Sequence, residues 1–130
     1  MRKAFDLTNA LIAAAHEGKT ISVRKLLREG AAPWGANSAA LICAAAAGHL
    51  STVRVLVAAG AAVNALDDHA VELAAKYGHP DVVMALLVAG ASIDAAKEGA
   101  RVAVAPSPEV THVISQFSES TGPWLTSAAS

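Results

Sequence analysis

Six glycines divide most of this chain at a fixed interval, and no other feature limits its fold as strongly. Gly18, Gly48 and Gly78 follow one another at thirty residues, and so do Gly30, Gly60 and Gly90. The residues between them repeat in phase. Leu41-Ile42-Cys43-Ala44-Ala45-Ala46-Ala47-Gly48-His49 leads into Val53, Leu56, Val57 and Gly60-Ala61-Ala62-Val63-Asn64. One period later come Val71-Glu72-Leu73-Ala74-Ala75-Lys76-Tyr77-Gly78-His79, Val82-Val83, Leu86-Leu87 and Gly90-Ala91-Ser92-Ile93-Asp94. Self-similarity at this period marks a stack of small units, each burying its apolar face against its neighbours. Glycine closes helices at left-handed positions, so the pattern predicts two short helices per unit.

Within each unit, Thr8, Ser38 and Asp68 stand three residues before the first large apolar position (Leu11, Leu41, Val71) and are expected to cap the first helix. The second helix carries Ile21, Val23, Leu26 and Leu27 in the first unit. Its counterparts carry Val53, Leu56 and Val57, then Val82, Val83, Leu86 and Leu87. His49 and His79 precede their helices, and Pro80 takes a first-turn place where its missing amide costs nothing. About a quarter of the chain is alanine, which favours helices and lets them approach closely. No apolar run is long enough to span a bilayer. Met1-Arg2-Lys3 before Leu11-Ile12-Ala13 imitates a secretion signal, but the period places Leu11 to Glu17 in the first repeat.

After Asp94 the register weakens. Arg101 falls where an apolar residue belongs and Pro108 where a glycine belongs. Val102 to Ala105 is too short to assign, whereas Ser107-Pro108-Glu109 opens a helix with Val110, Val113, Ile114 and Phe117 on one face. The expected organisation is one all-α domain over 1–117, with units at about 8–37, 38–67 and 68–97, a degenerate cap at 98–117 and a tail at 118–130. Lys19, Arg24, Lys25 and Arg28 are expected to keep the outward side of the first unit soluble, the alternative being a binding patch.

These residues resemble the ankyrin repeat. The leucine, paired alanines, Gly-His, paired valines and leucines, and Gly-Ala-x-Val-Asn-Ala appear most fully from Leu41 to Ala65, nearly as clearly from Val71 to Ala95, and more weakly from Leu11 to Ala32. The resemblance implies a helical solenoid of stacked helix-turn-helix units with a concave surface that binds other proteins; catalysis is not the family's usual work. Three departures qualify it. Units of thirty residues are shorter than the family's usual length of about 33, so the β-turn fingers should be stubby. The Thr-Pro-Leu-His tetrapeptide is absent, so stacking should rest more on apolar packing. Pro33-Trp34 stands where Val63-Asn64 stands one unit later.

Carried over by position, the groove residues are His16 and Glu17, Ala46 and Ala47, and Lys76 and Tyr77. The implied groove has methyl groups at its centre and polar or aromatic groups at its ends. Asn37, Asp67 and Lys97 mark the shortened turns beside it. Lys76 and Tyr77 either meet a partner or form an ordinary solvated surface. Trp34 is either an edge contact or packing over the first two units.

Enzyme chemistry is poorly supported. Cys43, in phase with Ala13 and Leu73, reads as a buried inert thiol, and the spacing of Asp67-Asp68-His69 with Glu72 matches no standard metal pattern. His49 and His79 repeat with the structural period and read as structural. Catalytic, cofactor and metal sites are therefore expected to be absent. With net charge −1 and a single cysteine, neither nucleic acid nor membrane is the expected partner, and a reducing compartment, the cytoplasm, is the expected location. The expected function is protein–protein interaction, as adaptor or inhibitor. The alternative is a structural subunit that self-associates or joins a larger assembly through the cap and Pro123-Trp124-Leu125; an enzyme or metal protein is the remote one.

Overall fold

Sequence rows thirty apart become layers in space. Leu11, Leu41 and Val71 are all buried, as are Ala15, Ala45 and Ala75, Val23, Val53 and Val83, and Leu26, Leu56 and Leu86. Each layer adds the same few side chains to one continuous core. A fully buried leucine such as Leu56 contributes about 1.5–3 kcal/mol relative to exposure.

The computed structural model describes residues 4–103 and 107–117. The expected tail over 118–130, including Trp124, lies outside them. The described residues form helices and no strand: α1 (Ala4–Glu17), α2 (Thr20–Arg28), α3 (Gly35–Ala47), α4 (Leu50–Ala58), α5 (Ala65–Lys76), α6 (Pro80–Val88), α7 (Ile93–Arg101) and α8 (108–117). The inner row α1, α3, α5 and α7 packs successively side by side, and α2, α4 and α6 lie behind it with lighter mutual contact. Alanine explains the asymmetry, because the small rows at 14, 44, 74 and 15, 45, 75 let inner helices come close.

Helix ends are closed as the glycines imply. At Gly48 (φ 80°) the Gly48 amide donates to Ala45 O at 3.1 Å and the His49 amide to Ala44 O at 2.9 Å, a Schellman closure. The same pair of bonds ends α4 at Gly60, with Ala61 buried beneath it.

The helix starts differ from expectation. Thr8 lies inside α1, which begins at Ala4. Ser38 and Asp68 end three-residue left-handed turns, Ala36-Asn37-Ser38 and Leu66-Asp67-Asp68, with φ between 54° and 62°. From there their side chains reach the turn that follows their own unit's second helix, 24 residues on, instead of capping the first. Buried Ser38 Oγ accepts from Ala62 N at 2.8 Å, and Asp68 Oδ1 accepts from Ser92 N at 3.1 Å. A left-handed turn of this kind stands at the first two junctions. The third junction lacks it: Ser92 is a true cap, accepting from Ala95 N at 3.3 Å, and α7 starts at once. Lys97 therefore lies inside a helix, not in a turn, and α7 runs across the expected 97/98 boundary.

Two smaller corrections concern side chains. Ile21 is 83% exposed, because the buried positions of α2 are Val23 and Leu26, which hold the repeat register. Cys43 is half-buried, since the row it shares with exposed Ala13 and half-buried Leu73 turns away from the core. Polar contacts also join the units. His49 Nε2 donates to His16 O at 3.1 Å, His79 Nε2 donates to Ala46 O at 2.9 Å, and the Thr20 and buried Thr52 hydroxyls bond at 3.0 Å. Stacking thus rests on more than apolar contact.

Candidate protein-interaction groove

The inner helices bury one stripe and leave the opposite stripe to solvent, as a period of 3.6 residues requires. On α1 that outer stripe holds Asn9, Ala13, His16 and Glu17, all exposed, beside half-buried Ile12. On α3 it holds Ala39, Ile42, Cys43, Ala46 and Ala47, all half-buried. On α5 and just after it come His69, Glu72, Leu73 and Lys76, half-buried, and Tyr77, which is 42% exposed. The expected groove residues of the three units therefore share one surface. Its middle helix contributes no charged group, so a partner loses nothing by drying Ala46 and Ala47.

Each end of the surface has its own chemistry. At the first, Glu17 Oε2 meets Lys19 Nζ at 2.7 Å; this bond and the attraction behind it lower the Glu17 pKa and raise that of Lys19. At the other, Lys76 Nζ lies over the Tyr77 ring, 5.8 Å from its centroid. That cation–π contact holds a charge and an aromatic face together at the C-terminal end of α5. His69 Nδ1 stands 3.3 Å from Glu72 Oε1 one to two turns earlier on the same stripe. Stepping back from Lys76 by helical intervals reaches Leu73, Glu72 and His69, so the helical phase places them on the same stripe. The same phase adds Ile42 and Cys43, which the residue pairs ahead of each glycine do not reach. Burial pushes the Cys43 thiol pKa up, which makes it a sluggish nucleophile.

The turn residues flank this surface. Asn37 and Asp67 are exposed on their left-handed turns, while Lys97 is exposed on α7. Trp34 packs over the first two units, its ring approaching within 3.7 Å of where a Gly60 Cβ would be, and it stays 60% exposed. Its counterpart Asn64 binds the backbone instead, donating to Gly90 O at 3.2 Å. Among the described residues no group of three or more acidic, histidine or cysteine side chains is placed to hold a metal ion. Nor is any helix there long and apolar enough to cross a membrane.

A family model described as ankyrin repeats, in three copies, matches residues 10–97. The chain belongs to the ankyrin-repeat family. The match runs from within α1, through α2 to α6, into α7, so the ankyrin assignment and the helical solenoid agree. A search of curated proteins returns no match. Ankyrin repeats are in general protein–protein interaction modules and typically not enzymes.

Proposed function

We propose that this chain is an adaptor or inhibitor that binds a protein partner in its concave groove, across α1, α3 and α5. The carrying observation is the uncharged strip of α3, flanked by Glu17 and Lys19 on one side and Lys76 with Tyr77 on the other. A flat methyl floor admits a helix or an extended backbone closely, and the polar ends fix its register and direction. Tyr77 is the natural anchor, because it presents a large rigid face at small entropic cost. Asn37, Asp67 and Trp34 form the rim. The lone cysteine fits a reducing compartment such as the cytoplasm.

The test compares partners recovered from native lysate by wild type, by Lys76→Ala/Tyr77→Ala, and by Ala46→Arg, which raises a bulky cation from the floor. Both variants should lose the same specific partner while keeping the wild-type circular dichroism spectrum. Undiminished recovery by both, with loss on Arg54→Glu/Val88→Glu at the outer helices, would place recognition on the opposite face and defeat the groove reading.

A further inference from the structure

Two surfaces outside the groove floor match each other. The first is the open end of unit one, where α1 and α2 have no preceding unit among the described residues. A depression of about 370 Å³ lies there, floored by Ala10, Ala13, Ala14 and Leu26 and edged by the Lys19–Glu17 pair and by Ser22, Lys25 and Glu29, so its positive charge comes from α2, not from Lys19. Beside it, Ile21, Arg24, Lys25 and Arg28 follow helical spacing along one exposed face of α2. Ile21 breaks the repeat there, since the equivalent residues Ser51 and Asp81 are polar. A cationic helix centred on an exposed isoleucine suits an acidic surface that also carries an apolar side chain. A phosphate backbone would make no use of the isoleucine.

The second surface is the left-handed turn Leu66-Asp67-Asp68. Leu66 is 58% exposed at φ 54°, doubly unfavourable for leucine, whose Cβ meets the following carbonyl in that region. Asp67 is exposed beside it, and Asp94 is exposed at the start of α7. The whole chain divides electrically in the same sense: through Gly30 it carries six basic and three acidic residues, and after Gly30 four basic and eight acidic.

We infer that the Leu66–Asp67 turn of one copy docks in the α1/α2 depression of a second copy. Leu66 fills the alanine-floored hollow, and Asp67 and Asp94 face Lys25, Arg24 and Arg28. The two surfaces differ, so the contact is head-to-tail and grows an open chain unless its rotation closes a ring. Asp67 lies on the groove rim, and Ala13, Glu17 and Lys19 at the groove's α1 end also line the hollow; the two readings are separated by variants outside the groove, Leu66→Asn and Ser22→Arg, and by Lys76→Ala/Tyr77→Ala at its far end.

Sedimentation of the full chain over a concentration series tests this. The weight-average mass should rise with concentration and fall back on raising salt from about 0.05 M to about 0.5 M, with affinity reduced about tenfold or more. Leu66→Asn is the most telling variant: asparagine tolerates the left-handed turn better than leucine, so the fold should melt no lower while association is lost. Ser22→Arg, at an exposed position of α2 that lines the hollow, should block it from the other side. Lys25→Glu and Asp67→Lys should each be monomeric alone and associate when combined in one chain. Lys76→Ala/Tyr77→Ala should associate as wild type does. A monomer at every concentration overturns the inference, as does association that survives Leu66→Asn. Binding of α2 to anionic vesicles without self-association overturns it equally.

Discussion

Gly48 and Gly90 both sit at positive φ, 80° and 108°, but a methyl group would find different surroundings at each. At Gly90 nothing lies within 4 Å of a Cβ, whereas at Gly48 it would fall 2.5 Å from His79 Nδ1. That ring is tethered by its bond to Ala46 O, so it cannot yield without losing an inter-unit hydrogen bond worth about 1 kcal/mol. Urea denaturation should therefore show Gly48→Ala more destabilising than Gly90→Ala by about 1 kcal/mol, beyond the backbone cost that both share. Adding His79→Ala should return much of the difference; a strictly additive double mutant would deny the coupling. Cys43 carries a second residue-scale prediction. Its pKa is raised by burial, and only the thiolate attacks an alkylating reagent. At pH 8 the folded chain should therefore react more slowly than the urea-unfolded chain. The rate should climb above the pH range where an ordinary thiol ionises, and equal rates in both states would contradict the shielding.

At the scale of elements, positions 36, 66 and 96 are one repeat position in two conformations. Ala36 and Leu66 are left-handed, while Ala96 is buried inside α7. Glycine should thus stabilise at Ala36 and Leu66 by about 0.5–1 kcal/mol, and destabilise at Ala96 by at least a similar amount, against its usual preference in none of the three. Thermal melts of the three single variants would check the sign, and a uniform loss would mean the turns are not left-handed. This position also shows where sequence reading reached its limit. Paired helices, glycine closures and buried rows were legible because each follows from local spacing or from the thirty-residue phase. The role of Ser38 and Asp68 was not, because their partners, Ala62 N and Ser92 N, lie 24 residues on, beyond the second helix of the same unit. Phase alone likewise placed Lys97 in a turn, and only Ser92, a local cap that breaks the pattern, starts α7 early enough to prevent it. The groove stripe was half legible: the pairs ahead of each glycine followed from the resemblance, while Ile42, Cys43, His69 and Glu72 required the helical phase to be carried through each inner helix.

For the molecule as a whole, stability should be distributed as in a one-dimensional stack, with each unit held by its own packing and by its neighbours. The α5–α7 contact is where this can be tested most sharply. Gly99 is buried against α5, and a Cβ there would run into Glu72 O, a backbone atom that cannot swing aside. Gly99→Ala must therefore push α7 away from α5 even though alanine is the better helix former. Only the last unit depends on that contact. Leu56, by contrast, is fully buried in α4, between units on both sides. Leu56→Ala should cost about 2–5 kcal/mol and lower the protection of α3 to α6 together. Amide exchange separates the two cases: Gly99→Ala should accelerate exchange in α7 and α8 while α3 and α4 stay near wild type. Were Gly99→Ala to loosen every helix equally, the chain would be a single cooperative unit, and the terminal unit would not be the separable cap that its broken register implies.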